Sequence, residues 1–249
     1  MAILFCVTAL LLYPIDNPTK KLTYDDLVKF KSGLAIEDTT LIYPRIEITP
    51  GMDQDGIYFT HGRVTNIHLN SIDPWLSRYV YCLNLISLEE SYVSLLAKNG
   101  NFKEYLSSLK SECRKAIDIV NDTGLSEDEK SEKLSKLSSI SKDEFDKAFR
   151  QYCKDRNFIL QKRSSVPIYQ VDITTDPPNA KVCMLSVLEY ELAKLTNRKE
   201  EELLSKSVVA SLKKASLSGR YVYRLYWNDG KKSEIGKINI AASTEYILK

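Results

Sequence analysis

Residues Val171–Met184 read VDITTDPPNAKVCM, two runs of β-branched and apolar residues separated by Pro177, Pro178 and Asn179. Proline fixes φ near −65° and withholds its N–H, so neither proline fits inside a central strand, and asparagine tolerates the left-handed backbone of a tight reversal. The stretch predicts two strands and a corner. It makes the C-terminal third of this 249-residue chain a β unit.

Downstream the same signal returns. A helix-leaning insert rich in Glu, Lys and Leu runs from Leu188 to Lys214, and "GRYVYRLYW" then alternates, placing Tyr221, Tyr223, Leu225 and Trp227 on one face and Val222, Arg224 and Tyr226 on the other. Asn228-Asp229-Gly230 predicts a type I′ hairpin turn, and "KSEIGKINIAA" is the returning strand. Strict alternation favours one face of a core for these aromatic residues. Tyr221, Tyr223, Tyr226 and Trp227 are nonetheless the candidate interaction surface, because Tyr and Trp carry apolar area with a polar tip.

Upstream the period changes. Asp73 as N-cap and Pro74 at the first helical position open a helix carrying Trp75, Tyr79, Leu83 and Ile86. Phe102, Tyr105, Leu106, Leu109, Cys113, Ala116, Ile117 and Val120 form a second amphipathic stripe that ends before Gly124. Capping boxes at Ser126/Glu129 and Ser141/Glu144 open two more helices. Twelve basic and twelve acidic residues interleave between Lys103 and Arg156, as on solvated helix faces, and no heptad persists. Residues 73–157 are therefore expected to form a helical hairpin or bundle.

Residues 17–72 are expected to form a β-rich unit. "TTLIYPRIEIT" and "GIYFTHGRVTNIHL" read as strands punctuated by glycines, after a short helix in "TYDDLVKFKSG" with Thr23 as N-cap and Gly33 at its end. The start of the chain, "MAILFCVTALLLYPID", holds fourteen uncharged residues from Ala2 to Ile15. As a helix these span roughly 21 Å, short of the ~30 Å hydrocarbon core. Neither a basic start nor a small-residue cleavage site marks a signal peptide, and Phe5 before Cys6 does not suit lipidation. Two readings remain: residues 1–16 as a membrane anchor, with Tyr13, Pro14 and Lys20–Lys21 as its interfacial exit, or a buried core element. The anchor is preferred.

The pattern V-x-I-T-T-x-P-x-N-A-x-V, followed after an insert by G-x-Y-x-Y-x-L-x-W, resembles the PEGA-type modules of prokaryotic surface and extracytoplasmic proteins. Ala180 and Val182 stand where that pattern has alanine and valine, and Asn179 replaces its usual glycine. The resemblance covers Val166–Ala242. It implies a small β-sandwich of structural or adhesive use, with no catalytic residue to carry over.

Composition narrows the chemistry. Thirty-five Lys+Arg against 33 Asp+Glu give a net charge of +2, which argues against nucleic acid as a partner. His61 and His68 lie seven apart, on opposite faces of a continuing strand, and no metal pair results. Cys6, Cys82, Cys113, Cys153 and Cys183 show no C-x-x-C spacing; Cys113 and Cys153 on facing stripes allow a disulfide, while buried free thiols fit Cys better. Asn121-Asp122-Thr123 matches a glycosylation acceptor, a three-residue pattern that arises often by chance.

The expectation is an α+β chain: N-terminal β-rich unit, central helical segment (73–157), and C-terminal small β-sandwich with a helical insert (158–249). Its expected function is that of a non-enzymatic, membrane-associated extracytoplasmic protein that supports an envelope assembly or binds a protein partner, without cofactor or metal. The alternatives are a hydrolase with a cleft near His61 and a cytosolic protein-interaction module.

Overall fold

Thr23 starts the first helix, and its backbone chemistry explains why. Its Oγ1 accepts the Asp26 N–H at 3.1 Å while Asp26 Oδ2 accepts the Thr23 N–H at 2.9 Å, a capping box that opens α1, Tyr24–Ser32. Gly33 closes it, its N–H bonded to the carbonyls of Lys29 and Phe30. A computed structural model of the chain describes residues 20–35, 46–50, 74–98, 100–137, 149, 151, 152, 154, 155, 158–162 and 169–249.

The second helix, α2 (Pro74–Leu96), is the axis of the helical part. Tyr79, Val80, Cys82, Leu83, Leu85 and Ile86 are all buried, together with the polar Asn84, Ser87 and Glu89, and only the face of Arg78, Tyr81 and Leu88 keeps partial contact with solvent. A helix that is apolar nearly all round must be surrounded. Its neighbours are α1, α3 (Lys103–Asn121) and, from far along the chain, a helix at Val187–Leu195. The α3 stripe falls as its spacing predicts, with Leu109, Cys113, Ala116, Ile117 and Val120 buried. The predicted Ser126/Glu129 box is present and opens α4, Glu127–Leu137, which leans on α2 through the Arg78–Glu127 ion pair at 2.8 Å. A second cluster packs Tyr92, Leu96, Phe102, Leu109 and Phe149, with Tyr92 and Phe149 edge to face at 5.5 Å.

Strand β1 (Ile46–Pro50) pairs antiparallel with β2 (Phe158–Lys162) in a two-stranded ladder. Beyond residue 169 six strands form two three-stranded sheets: β3 (Tyr169–Thr175), β4 (Lys181–Ser186), β5 (Ala215–Leu217), β6 (Gly219–Tyr226), β7 (Gly236–Ile240) and β8 (Glu245–Leu248). Their orders are β5-β3-β8 and β4-β6-β7. Both sheets contribute to one core: Val171, Ile173 and Leu248 from the first, Val182, Met184, Leu225 and Ile240 from the second. Between β4 and β5 run α5 (Val187–Leu195) and α6 (Glu200–Lys206). The two faces of α5 are used differently. Leu188, Leu192 and Ala193 enter the core around α2, and Val187 and Tyr190 pack on the β4/β6 side.

The expected fold class needs correction. The helices α1–α4 lie ahead of the two sheets in the chain, and they do not form a central segment between an N-terminal β-rich unit and a C-terminal β-sandwich. The fold is mixed, with six helices and two small three-stranded sheets among the described residues. The physical reason is Leu22 and Leu27: both are fully buried against the helices, so the segment around α1 belongs to the helical core. Residues 1–19 and 51–73, with the expected anchor and the strand of "GIYFTHGRVTNIHL", lie outside the described residues, as does the Ser141/Glu144 box. No described helix is long and apolar enough to cross a membrane.

Both turns read from the sequence are found, one with a different geometry. Asn179 has φ of 66°, as the corner after two prolines requires, and the Asp176–Pro177 bond is cis. At Asn228–Gly230 only Gly230 takes a positive φ (84°), and its N–H bonds to the Trp227 carbonyl at 3.1 Å. The loop is thus a longer turn with glycine in the left-handed position, in place of the type I′ turn, which needs positive φ at two residues.

Candidate interaction edge

The four aromatic residues of the candidate surface do not share one surface. Tyr221, Tyr223 and Trp227 face the core between the two sheets beside Leu225, whereas Tyr226 points to the opposite side with Val222, near Lys181. Alternation along β6 dictates this division. The polar tips on the inner side are engaged by the chain's own backbone. The Tyr223 hydroxyl donates to the Lys249 carbonyl at 3.3 Å, Trp227 Nε1 donates to the Pro177 carbonyl at 3.3 Å, and the Tyr221 hydroxyl accepts the Ser218 N–H at 3.4 Å. Burial pushes the Tyr221 hydroxyl above its ordinary pKa.

These side chains fasten the end of the chain. Tyr223 of one sheet reaches the residue after β8 of the other, and its ring lies over Gly236 of β7, where an added Cβ would overlap it. Tyr246 of β8 also bonds locally, accepting from the Ala241 and Ala242 amides and donating to the Ala242 carbonyl. Strand β8 is consequently held in a fixed position.

Strand β8 pairs in parallel with β3, Glu245 beside Asp172 and Ile247 beside Thr174, and has no neighbour on its other side among the described residues. The Asp172 N–H bonds to the Thr244 carbonyl at 3.3 Å and the Asp176 N–H to the Leu248 carbonyl at 2.8 Å, so the even-numbered residues turn their backbone toward β3. By the alternation of a strand, Glu245 and Ile247 turn theirs outward. Leu248 and Tyr246 pack on the core, and Ile247, on the outer face, is 62% exposed. A rigid edge with outward backbone groups and an apolar side chain can accept another extended strand. Sequence reasoning missed it because the strand reading stopped at Ala242. The signal was present in "STEYILK", where an aromatic and a β-branched residue stand side by side in a short apolar run between Glu245 and Lys249, after Ser243-Thr244.

A second concentration of polar chemistry sits among the helices. Glu89, only 5% exposed, accepts the Tyr24 hydroxyl at 2.6 Å, and Lys110 and Arg114 lie over the Tyr24 ring at 5.6 and 5.5 Å from its centroid. Cys113 is buried beside Glu89, and Cys82 is fully buried on α2. Burial pushes both thiols far up, so they stay protonated and weakly nucleophilic. The half-buried Tyr24–Glu89 hydrogen bond joins α1 to α2, and Lys110 and Arg114 over the Tyr24 ring bring in α3. Cys113 and Cys183 are free thiols; Cys6, Cys153, His61 and His68 are outside the described residues or without a described side chain. Among the described residues no three His, Cys, Asp or Glu converge as metal ligands do.

Compared with protein-family models, with curated proteins and with solved structures, the chain matches none.

Proposed function

We propose that this chain is a non-enzymatic, membrane-associated extracytoplasmic protein that works by binding protein, as a support of an envelope assembly. The observation that carries the reading is β8: an edge strand pinned from behind by Tyr223 and Tyr246 that carries the exposed Ile247 on its open side. Pairing with an added strand draws affinity from backbone hydrogen bonds and selectivity from alternate side chains, and it needs no catalytic group. The resemblance of Val166–Ala242 to PEGA-type modules supports the extracytoplasmic setting, and the uncharged run Ala2–Ile15 supports membrane attachment.

Two measurements on the full chain test this. A photo-reactive residue at position 247 should capture protein in intact host cells, while the same residue at Lys194, exposed on α5, should not. Protease added to spheroplasts should digest the bulk of the membrane-bound chain before lysis. Equal capture at both positions, or protection until lysis, refutes the reading.

A further inference from the structure

Strand β8 carries a charge pattern that is complementary to itself. In Glu245-Tyr246-Ile247-Leu248-Lys249 the acidic and basic residues stand two positions either side of Ile247, and all three are exposed. We propose that the occupant of the β8 edge is a second copy of this chain, paired antiparallel about a two-fold axis through Ile247. This rests on β8 being a binding edge, as above.

The register follows from geometry. An antiparallel pair centred on Ile247 sets Ile247 against its own copy, Glu245 against Lys249 of the other copy, and Tyr246 against Leu248. Because Glu245 and Ile247 turn their backbone outward, the pair at 247 exchanges both hydrogen bonds, and at 245/249 the Glu245 carbonyl takes the Lys249 N–H of the other copy while the Lys249 carbonyl stays with Tyr223. On the outer face, two opposite-charge pairs then flank an apolar pair, the combination that favours cross-strand neighbours. Moving the axis to Tyr246 would put Glu245 against Ile247 and leave both charges without a partner. Charge thus selects one register, and the two sheets fuse into six strands in the order β5-β3-β8-β8-β3-β5. With one short strand from each copy the contact is small, so the dimer is weak, with a Kd on the order of 100 µM.

Sedimentation of the full chain in mild detergent across a concentration series tests the proposal. The wild type should show a monomer–dimer equilibrium. Glu245→Lys and Lys249→Glu each place like charges opposite one another twice per dimer and should weaken it roughly five- to tenfold, while the double variant restores opposite pairs and should recover wild-type association. All four positions of charge are on the exposed face, so folding is preserved. A chain that stays monomeric, or a dimer whose strength ignores the single reversals, overturns the proposal. If the chain is monomeric while position 247 still captures other proteins in cells, self-pairing is refuted and the binding edge stands; if neither is seen, both readings fall.

Discussion

The Tyr79 hydroxyl donates to Asn121 Oδ1 at 2.5 Å and accepts the Leu22 N–H at 3.0 Å, while Asn121 Nδ2 returns to the Leu22 carbonyl at 2.8 Å. Three residues from the segment before α1, from α2 and from the end of α3 thereby close a ring of hydrogen bonds. Each polar group of the ring is buried or half-buried, and removing one side chain breaks two of its bonds while the bond between the other two residues remains.

Tyr79→Phe and Asn121→Ala should each destabilise the chain by about 1–3 kcal/mol, because orphaned groups keep their desolvation cost. Urea unfolding gives the two values, and the double variant should lose less than their sum. Strict additivity would mean that the ring does not act as a unit.

The same ring bears on the Asn121-Asp122-Thr123 pattern. Asn121 Nδ2, the atom a glycan would occupy, is bonded to the Leu22 carbonyl. Expressed in a glycosylating host, the tryptic peptide containing Asn121 should keep its unmodified mass; a glycan found there would show that the bond is dispensable.

Alkaline pH should weaken the fold. Burial first, then nearby charge, pushes the Tyr81 hydroxyl from 10.0 up to about 12, and Tyr24 and Tyr79 are raised in the same direction. A group whose folded pKa is raised contributes its stability in full below the unfolded pKa, near pH 10, and loses it as pH rises through the folded value. Unfolding free energy should therefore hold below about pH 10 and fall between about 10 and 12. Tyr81→Phe should flatten part of that slope. An unchanged slope would exclude Tyr81 as a contributor.

Gly236→Ala would drive a Cβ into the Tyr223 ring. The expected cost is about 1–3 kcal/mol from overpacking, together with a loosened Tyr223–Lys249 bond. Adding Tyr223→Ala should remove much of the penalty for Gly236→Ala, and a double-variant cycle measured by thermal unfolding checks the coupling.

Cys82 and Cys113 should resist a thiol reagent in the native chain and react on unfolding, since burial holds both protonated. Peptide mapping after a short labelling pulse distinguishes these positions from the remaining cysteines. Native labelling at Cys113 would show that the α2–α3 seam opens readily.

Much of the architecture was legible where local physics decides. The Thr23 and Ser126 caps, the α3 stripe and the Pro-Pro-Asn corner all follow from short-range backbone demands, and each falls where its residues point. What escaped depends on distant partners. Nothing near Leu22 announces that it is covered by α2, and nothing near Leu188 announces that the same core extends to it. Alternation told which face of β6 each aromatic residue takes, but not that the Tyr223 and Trp227 tips would be spent on Lys249 and Pro177. The buried Glu89 gave one faint signal, an acidic residue in an otherwise apolar helical stretch, yet its Tyr24 partner lies 65 positions away.

The double-faced helix α5 has a kinetic consequence. Leu188, Leu192 and Ala193 complete the core around α2, so the helical part cannot finish assembling from its own contiguous sequence. Loop closure across about a hundred residues must come first, and such non-local contacts slow folding. A fragment ending after β2 would keep α1 to α4 but leave a groove where α5 belongs, and sheets and helices would be expected to melt in one transition, with α5 as the shared wall.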